Sequence, residues 1–188
     1  MAEILYQTAP IASPALRAPI SRRSVIVAGL STVVEWYDFT LYLYFSTVLA
    51  RVFFGTGPQS MTEALGGFAI AYLMRPVGAL VFGHFGDRLG RRLTMLGSMS
   101  LMTVATLATA MLPTYAQIGP LSGVLLIVLR CLMSFSVGGE YTGVVAYLLE
   151  GAKDSRRGLI TSCASAASEI GALLAAAAAA LTVWAVLT

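Results

Sequence analysis

Ten residues, Gly83-His84-Phe85-Gly86-Asp87-Arg88-Leu89-Gly90-Arg91-Arg92, carry three arginines, an aspartate and three glycines between two long, nearly uncharged apolar segments. A stretch so charged cannot rest in hydrocarbon, where each ionised side chain costs at least about 2.5 kcal/mol. The apolar segments on either side suit hydrocarbon better than water. The chain must then cross an apolar layer before this stretch and again after it, so the stretch reads as a turn where two membrane helices meet. Composition agrees. Of 188 residues, 57% are hydrophobic and 11% charged, less than half the charged share of an ordinary soluble domain, about 25%.

The net charge of +3 does not indicate nucleic-acid binding, because the basic residues are dealt out between apolar runs rather than gathered into a patch. Such spacing is what the positive-inside rule produces. Cys131 and Cys163 fall inside apolar segments at no metal or redox spacing, and free buried thiols are expected. His84 has no companion ligand and reads as a turn residue. The chain has no phosphate-binding Gly-x-x-x-x-Gly-Lys loop, no Gly-x-Ser-x-Gly elbow and no His-Glu-x-x-His stretch. The sequence therefore indicates no metal, no cofactor and no enzyme.

Five spans are expected, at about 24–54, 61–86, 93–112, 121–149 and 158–188. Residues 1–20, with Pro10, Pro14 and Pro19, read as a disordered cytoplasmic tail. Nine of the twelve Lys and Arg residues lie in the tail and its edge, in the turn after span two, and in the loop after span four. All three places, and the N-terminus, should be cytoplasmic in a multi-pass protein of a cell membrane, the bacterial inner membrane being the expected one. The lipid bilayer is thus the first expected partner.

Ionisable residues within the spans face a protein interior or a watery cavity and usually mark a pathway. Glu35 and Asp38 share a face of span one. Asp38 and Arg75 both sit near the middle of their spans and are the expected pair. Arg130 lies nearer one end of span four and Glu140 nearer the other, while Glu169 lies mid-depth in span five without an evident partner. Two readings stay open. Opposite charges can simply neutralise each other and set helix register. Acids beside an arginine can also trade a proton for an anionic solute, since burial raises a carboxyl pKa and a neighbouring arginine lowers it. Gly139 and Gly143, four apart, suggest a close helix contact beside Glu140. Trp36, Tyr42 and Tyr44 either pack the core or line a solute path.

The stretch Gly83-x-x-x-Asp87-Arg88-x-Gly90-Arg91-Arg92 resembles the signature between helices two and three of the major facilitator superfamily. Glu35-Trp36-Tyr37-Asp38-Phe39, Arg75-Pro76-x-Gly78 and Ser136-Val137-Gly138-Gly139-Glu140-Tyr141-Thr142-Gly143 resemble its metabolite:proton symporter branch, which carries 2-oxoglutarate, citrate, shikimate, proline and betaine. Arg156-Arg157-Gly158 and Ser162 are similar to the start of helix five. The resemblance covers about residues 21–188. It implies an all-α membrane fold, with five helices corresponding to helices 1–5 of a twelve-helix carrier that works by alternating access. Glu35, Asp38, Arg75, Arg130 and Glu140 become candidates for proton coupling and solute binding. Gly83, Asp87, Arg88, Gly90, Arg91, Arg92 and Glu150 become a cytoplasmic gating motif.

Two departures bear on the solute. The branch usually reads Arg-x-x-Gln-Gly where this chain has Arg130-Cys131-Leu132-Met133-Ser134, and Cys163 and Ala164 replace a frequent glutamine or aromatic. A third concerns length: residues 21–188 would be an incomplete N-terminal six-helix half, from a truncated or split product. The expected function is secondary active, proton-coupled symport of a small organic acid or zwitterionic osmolyte. The alternatives are an inactive or complementation-dependent fragment and a membrane structural or regulatory subunit. A missing C-terminal half or self-association would supply the polypeptide partner.

Overall fold

The computed structural model describes residues 22–150 and 157–187, including side chains except those of 22–25, 28, 91, 92, 140–150, 157, 160, 186 and 187. The expected tail and the loop 151–156 lie outside the described residues, as do the side chains of Arg91, Arg92, Glu140 and Glu150. Everything described is helix or turn. The elements are α1 (Arg22–Tyr44), α2 (Ser46–Leu49), a π-helical turn (Ala50–Phe54), α3 (Ser60–Leu89), α4 (Arg91–Ala110), α5 (Tyr115–Ile118), α6 (Leu121–Glu150) and α7 (Arg157–Leu187).

Among the described residues four segments are long and apolar enough to cross a membrane: Ser60–Leu89, Leu93–Ala110, Leu121–Gly139 and Thr161–Ala185. They correspond to the second to fifth expected spans. The first is different. It is not one continuous helix to Phe54: α1 stops at Tyr44, and the chain finishes in α2 and the π turn before Gly55 at φ 85°. α1, which carries Glu35 and Asp38 and in which the side chains of 22–25 and 28 lie outside the described residues, is not among the four.

The charged stretch is also more helical than expected. α3 runs on through Asp87 and Arg88 to Leu89, and Gly90 alone separates it from α4. Gly90 takes φ 95°, a conformation that costs glycine nothing and other residues about a kcal/mol or more. Arg88 in the last turn of α3 suits the negative end of that helix's dipole. Arg91 and Arg92 open α4 at its positive end, where cations are disfavoured.

Two groups of helices result. α6 packs along both α3 and α4, and α7 packs along α1. Small residues make both close approaches. A Cβ at Gly78 would overlap the Phe135 carbonyl oxygen, and one at Gly138 would overlap that of Arg75, so α3 and α6 touch backbone to backbone. The close contact expected from Gly139 is real, with its open side filled by the Phe82 ring. On α7, Gly171 lies against the Val33 carbonyl, and Ala164, Ala167 and Ala175 are buried. Without a hydrophobic force between helices in lipid, such backbone proximity is what lets packing forces hold them.

Polar groups in this apolar setting are satisfied locally. Along α4 the hydroxyls of Thr103, Thr106 and Thr109 donate to carbonyls four residues back at 2.8–2.9 Å. The fully buried Ser136 hydroxyl donates to the Ser98 carbonyl, tying α6 to α4. Ser122 on α6 donates to the Phe53 carbonyl at 2.6 Å, which fixes the π turn. A core of Tyr42, Phe53 and Leu126, flanked by Phe68 and Leu112, closes the end of the molecule away from the charged stretch. The cysteines are free, but neither is deeply buried: Cys131 is half-buried and Cys163 is exposed on α7.

Gly78→Ala and Gly138→Ala should each destabilise the bundle by about 1–3 kcal/mol, since a backbone must move to admit the methyl group. Gly66→Ala, on the same helix with nothing within 4 Å, should hold or gain about 1 kcal/mol through helix propensity. Melting in detergent would distinguish them, and a Gly78→Ala protein that melts with the parent would mean that the two backbones do not meet.

Candidate functional site

α1 brings both of its acids to the α3–α6 seam, and each meets a different arginine. Arg130 on α6 places Nη1 2.6 Å from Asp38 Oδ2. Arg75 on α3 places Nη1 3.6 Å from Glu35 Oε1, an ion-pair separation too long for a good hydrogen bond. The expected Asp38–Arg75 pair is therefore replaced by two others. Glu35 and Asp38 stand three residues apart on one face of α1, about one turn from each other along the helix, so each acid meets the arginine at its own height, Asp38 that of α6 and Glu35 that of α3.

The two pairs differ in quality. Arg130 is 13% exposed, is hydrogen-bonded to Asp38, and lies 4.4 Å from the centre of the Tyr42 ring. Tyr42 is itself anchored, with its hydroxyl donating to the Ala64 carbonyl at 3.0 Å and its ring stacked on Phe68. Arg75 is 18% exposed and is surrounded by rings instead: Phe39 at 4.7 Å, Tyr72 at 5.1 Å and Trp36 at 6.0 Å. Among the described residues three buried donors have no acceptor, namely Nε of Arg75, Nε of Arg130 and Nε1 of Trp36.

Two spaces adjoin these residues. One is a void of about 20 Å³ lined by Glu35, Asp38, Arg75 and Arg130, enough for one water. The other is an open cleft of about 390 Å³ lined by Glu35, Trp36, Tyr72, Arg75, Pro76, Ala79, Val137 and Gly138. That volume falls within the range of small-molecule sites, about 300–1,000 Å³. The structure thus joins four of the five sequence candidates, Glu35, Asp38, Arg75 and Arg130. Glu140 is placed on α6 with its side chain outside the described residues, and Glu169 is exposed on α7. Of the aromatics, Tyr42 is core, Tyr44 is exposed, and Trp36 lines the cleft.

The gating-motif residues divide. Gly86 is buried against Thr94, while Gly83, Asp87 and Arg88 are exposed and Gly90 forms the link. An engagement of Arg91 and Arg92 by Asp87 and Glu150 involves side chains outside the described residues. Phe39 and Tyr72 are the site residues that sequence reasoning missed. The signal for Tyr72 was its place one turn before Arg75, where i and i+3 side chains meet.

Residues 24–183 match the sugar (and other) transporter family. The chain belongs to this family, within the major facilitator superfamily. The sugar (and other) transporters are a family of carriers, not of enzymes, and the chain is a multi-pass membrane protein. It is 39% identical over 153 residues to the ectoine/proline transporter ProP of Corynebacterium glutamicum, covering 80% of this chain and 30% of that protein. It is 36% identical over 145 residues to a putative proline/betaine transporter of Staphylococcus aureus, covering 76% and 31%. With the proline/betaine transporter of Escherichia coli it shares 35% identity over 157 residues, covering 82% and 31%. The chain spans under a third of the length of these curated relatives. No solved structure matches it.

A double-mutant cycle on Asp38→Asn and Arg130→Gln should show a coupling of about 1–3 kcal/mol in unfolding free energy, below the full cost of breaking a buried pair because both partners keep some exposure. The same cycle with Arg75→Gln in place of Arg130→Gln should give a smaller coupling. Equal values would restore the Asp38–Arg75 pairing.

Proposed function

We propose that the chain forms part of a proton-coupled secondary carrier for zwitterionic osmolytes of the proline and betaine type. The observation that carries this reading is the joining of Glu35–Arg75 and Asp38–Arg130 across one water-sized void, beside a cleft of small-solute size. Asp38 is the proton-coupling group in this reading. Protonation removes its charge, frees Arg130, and loosens one of the two ion pairs that hold α1 to α3 and α6. Arg75 receives the carboxylate of the solute. Its loose pairing makes it the readier of the two arginines, because a carboxylate offers guanidinium better hydrogen bonds than Glu35 does at 3.6 Å. Relatives named for proline, betaine and ectoine favour a zwitterion over the organic acids.

The membrane arrangement belongs to the same proposal. α1, α2 and the π turn together make the first of five spans, residues 21–188 form helices 1–5 of a six-helix half, and the N-terminus and the Gly83–Arg92 link face the cytoplasm of a bacterial inner membrane. Asp87, Arg88, Arg91, Arg92 and Glu150 then steady the cytoplasmic side. In alternating access the solute site lies between two halves, so a facing half takes part in transport.

The test is uptake into proteoliposomes under an imposed inward proton gradient, with the chain alone and with the C-terminal remainder of the Corynebacterium relative. Labelled proline or glycine betaine should accumulate in the paired preparation, and a protonophore or Asp38→Asn should abolish that accumulation. No accumulation in either preparation would sink the carrier reading. Gradient-driven accumulation that survives Asp38→Asn would remove Asp38 from proton coupling.

A further inference from the structure

Three rings surround one cation in this structure, and that cation is poorly satisfied. Phe39, Tyr72 and Trp36 lie 4.7, 5.1 and 6.0 Å from the Arg75 guanidinium carbon. They are not stacked. Trp36 meets Phe39 edge-on at 68°, and Phe39 and Tyr72 are inclined at 49°, so the rings form walls rather than a pile. Electron-rich faces at steep angles around a point are the geometry that receives a cation without hydrogen bonds. Guanidinium is a poor permanent tenant, because it carries five donors in a fixed fork. Here its Nε is buried without an acceptor, and its Nη1 stands 3.6 Å from Glu35. Arg130, whose Nε also lacks an acceptor, differs in its ion pair: it rests on one ring and holds Asp38 at 2.6 Å.

We propose that Trp36, Phe39 and Tyr72 form a receptor for the quaternary ammonium group of a zwitterion, with Arg75 displaced from the rings onto the carboxylate of the same molecule. The inference deepens the osmolyte reading and rests on it. The exchange improves hydrogen bonding on both sides. A methylated ammonium has no donor to satisfy, so rings suit it, and Glu35 beside them balances its charge. Arg75 gains a carboxylate in place of a distant one. Trp36 Nε1, the other buried donor without an acceptor, belongs to a residue that lines the same cleft, and gives the carboxylate a second donor. Charge is conserved throughout, since one internal ion pair and one zwitterion become two pairs. The cage favours fully methylated nitrogen over proline's ammonium, whose two N–H donors the rings leave unsatisfied.

The experiment is equilibrium binding of labelled glycine betaine to the full chain in lipid nanodiscs. Binding should be saturable and should be displaced by tetramethylammonium, which has the onium group alone, more effectively than by acetate, which has the carboxylate alone. Tyr72 is half exposed, so Tyr72→Leu should fold. It should weaken betaine binding roughly tenfold and proline binding less, and Tyr72→Phe should recover most of the loss. Betaine affinity unchanged in Tyr72→Leu, acetate outcompeting tetramethylammonium, or no betaine binding by the unmodified chain would each overturn the cage. The carrier reading falls separately, only if the paired proteoliposomes fail to accumulate solute.

Discussion

A charge in an apolar interior has to be neutralised where it stands, and in this chain that requirement decides how α1 is held. α1 carries two acids and no basic residue in its central turns, while α3 and α6 each present one arginine to it. Neither group could stay buried alone without a cost of several kcal/mol. These four residues and the aromatics around them join α1 to α3 and α6, beside a contact of α7 with α6, whereas α3 and α6 meet through bare backbone at Gly78 and Gly138. One seam is therefore made of contacts that no change of charge can alter. The other is made of contacts that a proton or an anion can. A carrier needs both, a rigid frame and a joint that responds to its cargo.

The aromatic residues decide which ion pair responds first. Tyr42 holds Arg130 from beneath and is itself tied to α3 through Ala64 and Phe68. Arg130 and Asp38 are thus set beside the buried cluster of Tyr42, Phe53 and Leu126. Arg75 sits at the edge of an open cleft with a longer ion pair. The solute side of the proposed mechanism is soft and the proton side firm, although both use the same chemical groups. Packing, not residue type, makes the difference.

Much of this was legible in the sequence. Long apolar runs marked four helices within a few residues, and the charged decapeptide marked the junction of two of them. What the sequence hid was geometric. Nothing in Phe45 through Phe54 announces that the helix gives way to a π turn, because the residues are ordinary helix formers and the turn is stabilised from afar by Ser122 on the Phe53 carbonyl. Nor does the order of residues say which of two acids, one turn apart on α1, meets which arginine. Gly83 to Leu89 looked like a turn because its charges exclude it from lipid, yet charge at a helix end does not stop a helix. Only Gly90, with its positive φ, does.

Pro76 has a mechanical consequence. It has no N–H, so the Tyr72 carbonyl loses its helical donor one turn earlier, and two residues on, Gly78 has no side chain to brace the helix. Long helices flex at such places. Tyr72 and Arg75 both lie in the turn just before Pro76, where the Arg75 carbonyl rests against Gly138 and, just beyond, Gly78 rests against the Phe135 carbonyl. The helix is thus loosened from within and clamped from outside at the same level. The turn that carries the ring and the guanidinium has one internal bond fewer than its neighbours, and α6 rather than its own backbone holds it in shape.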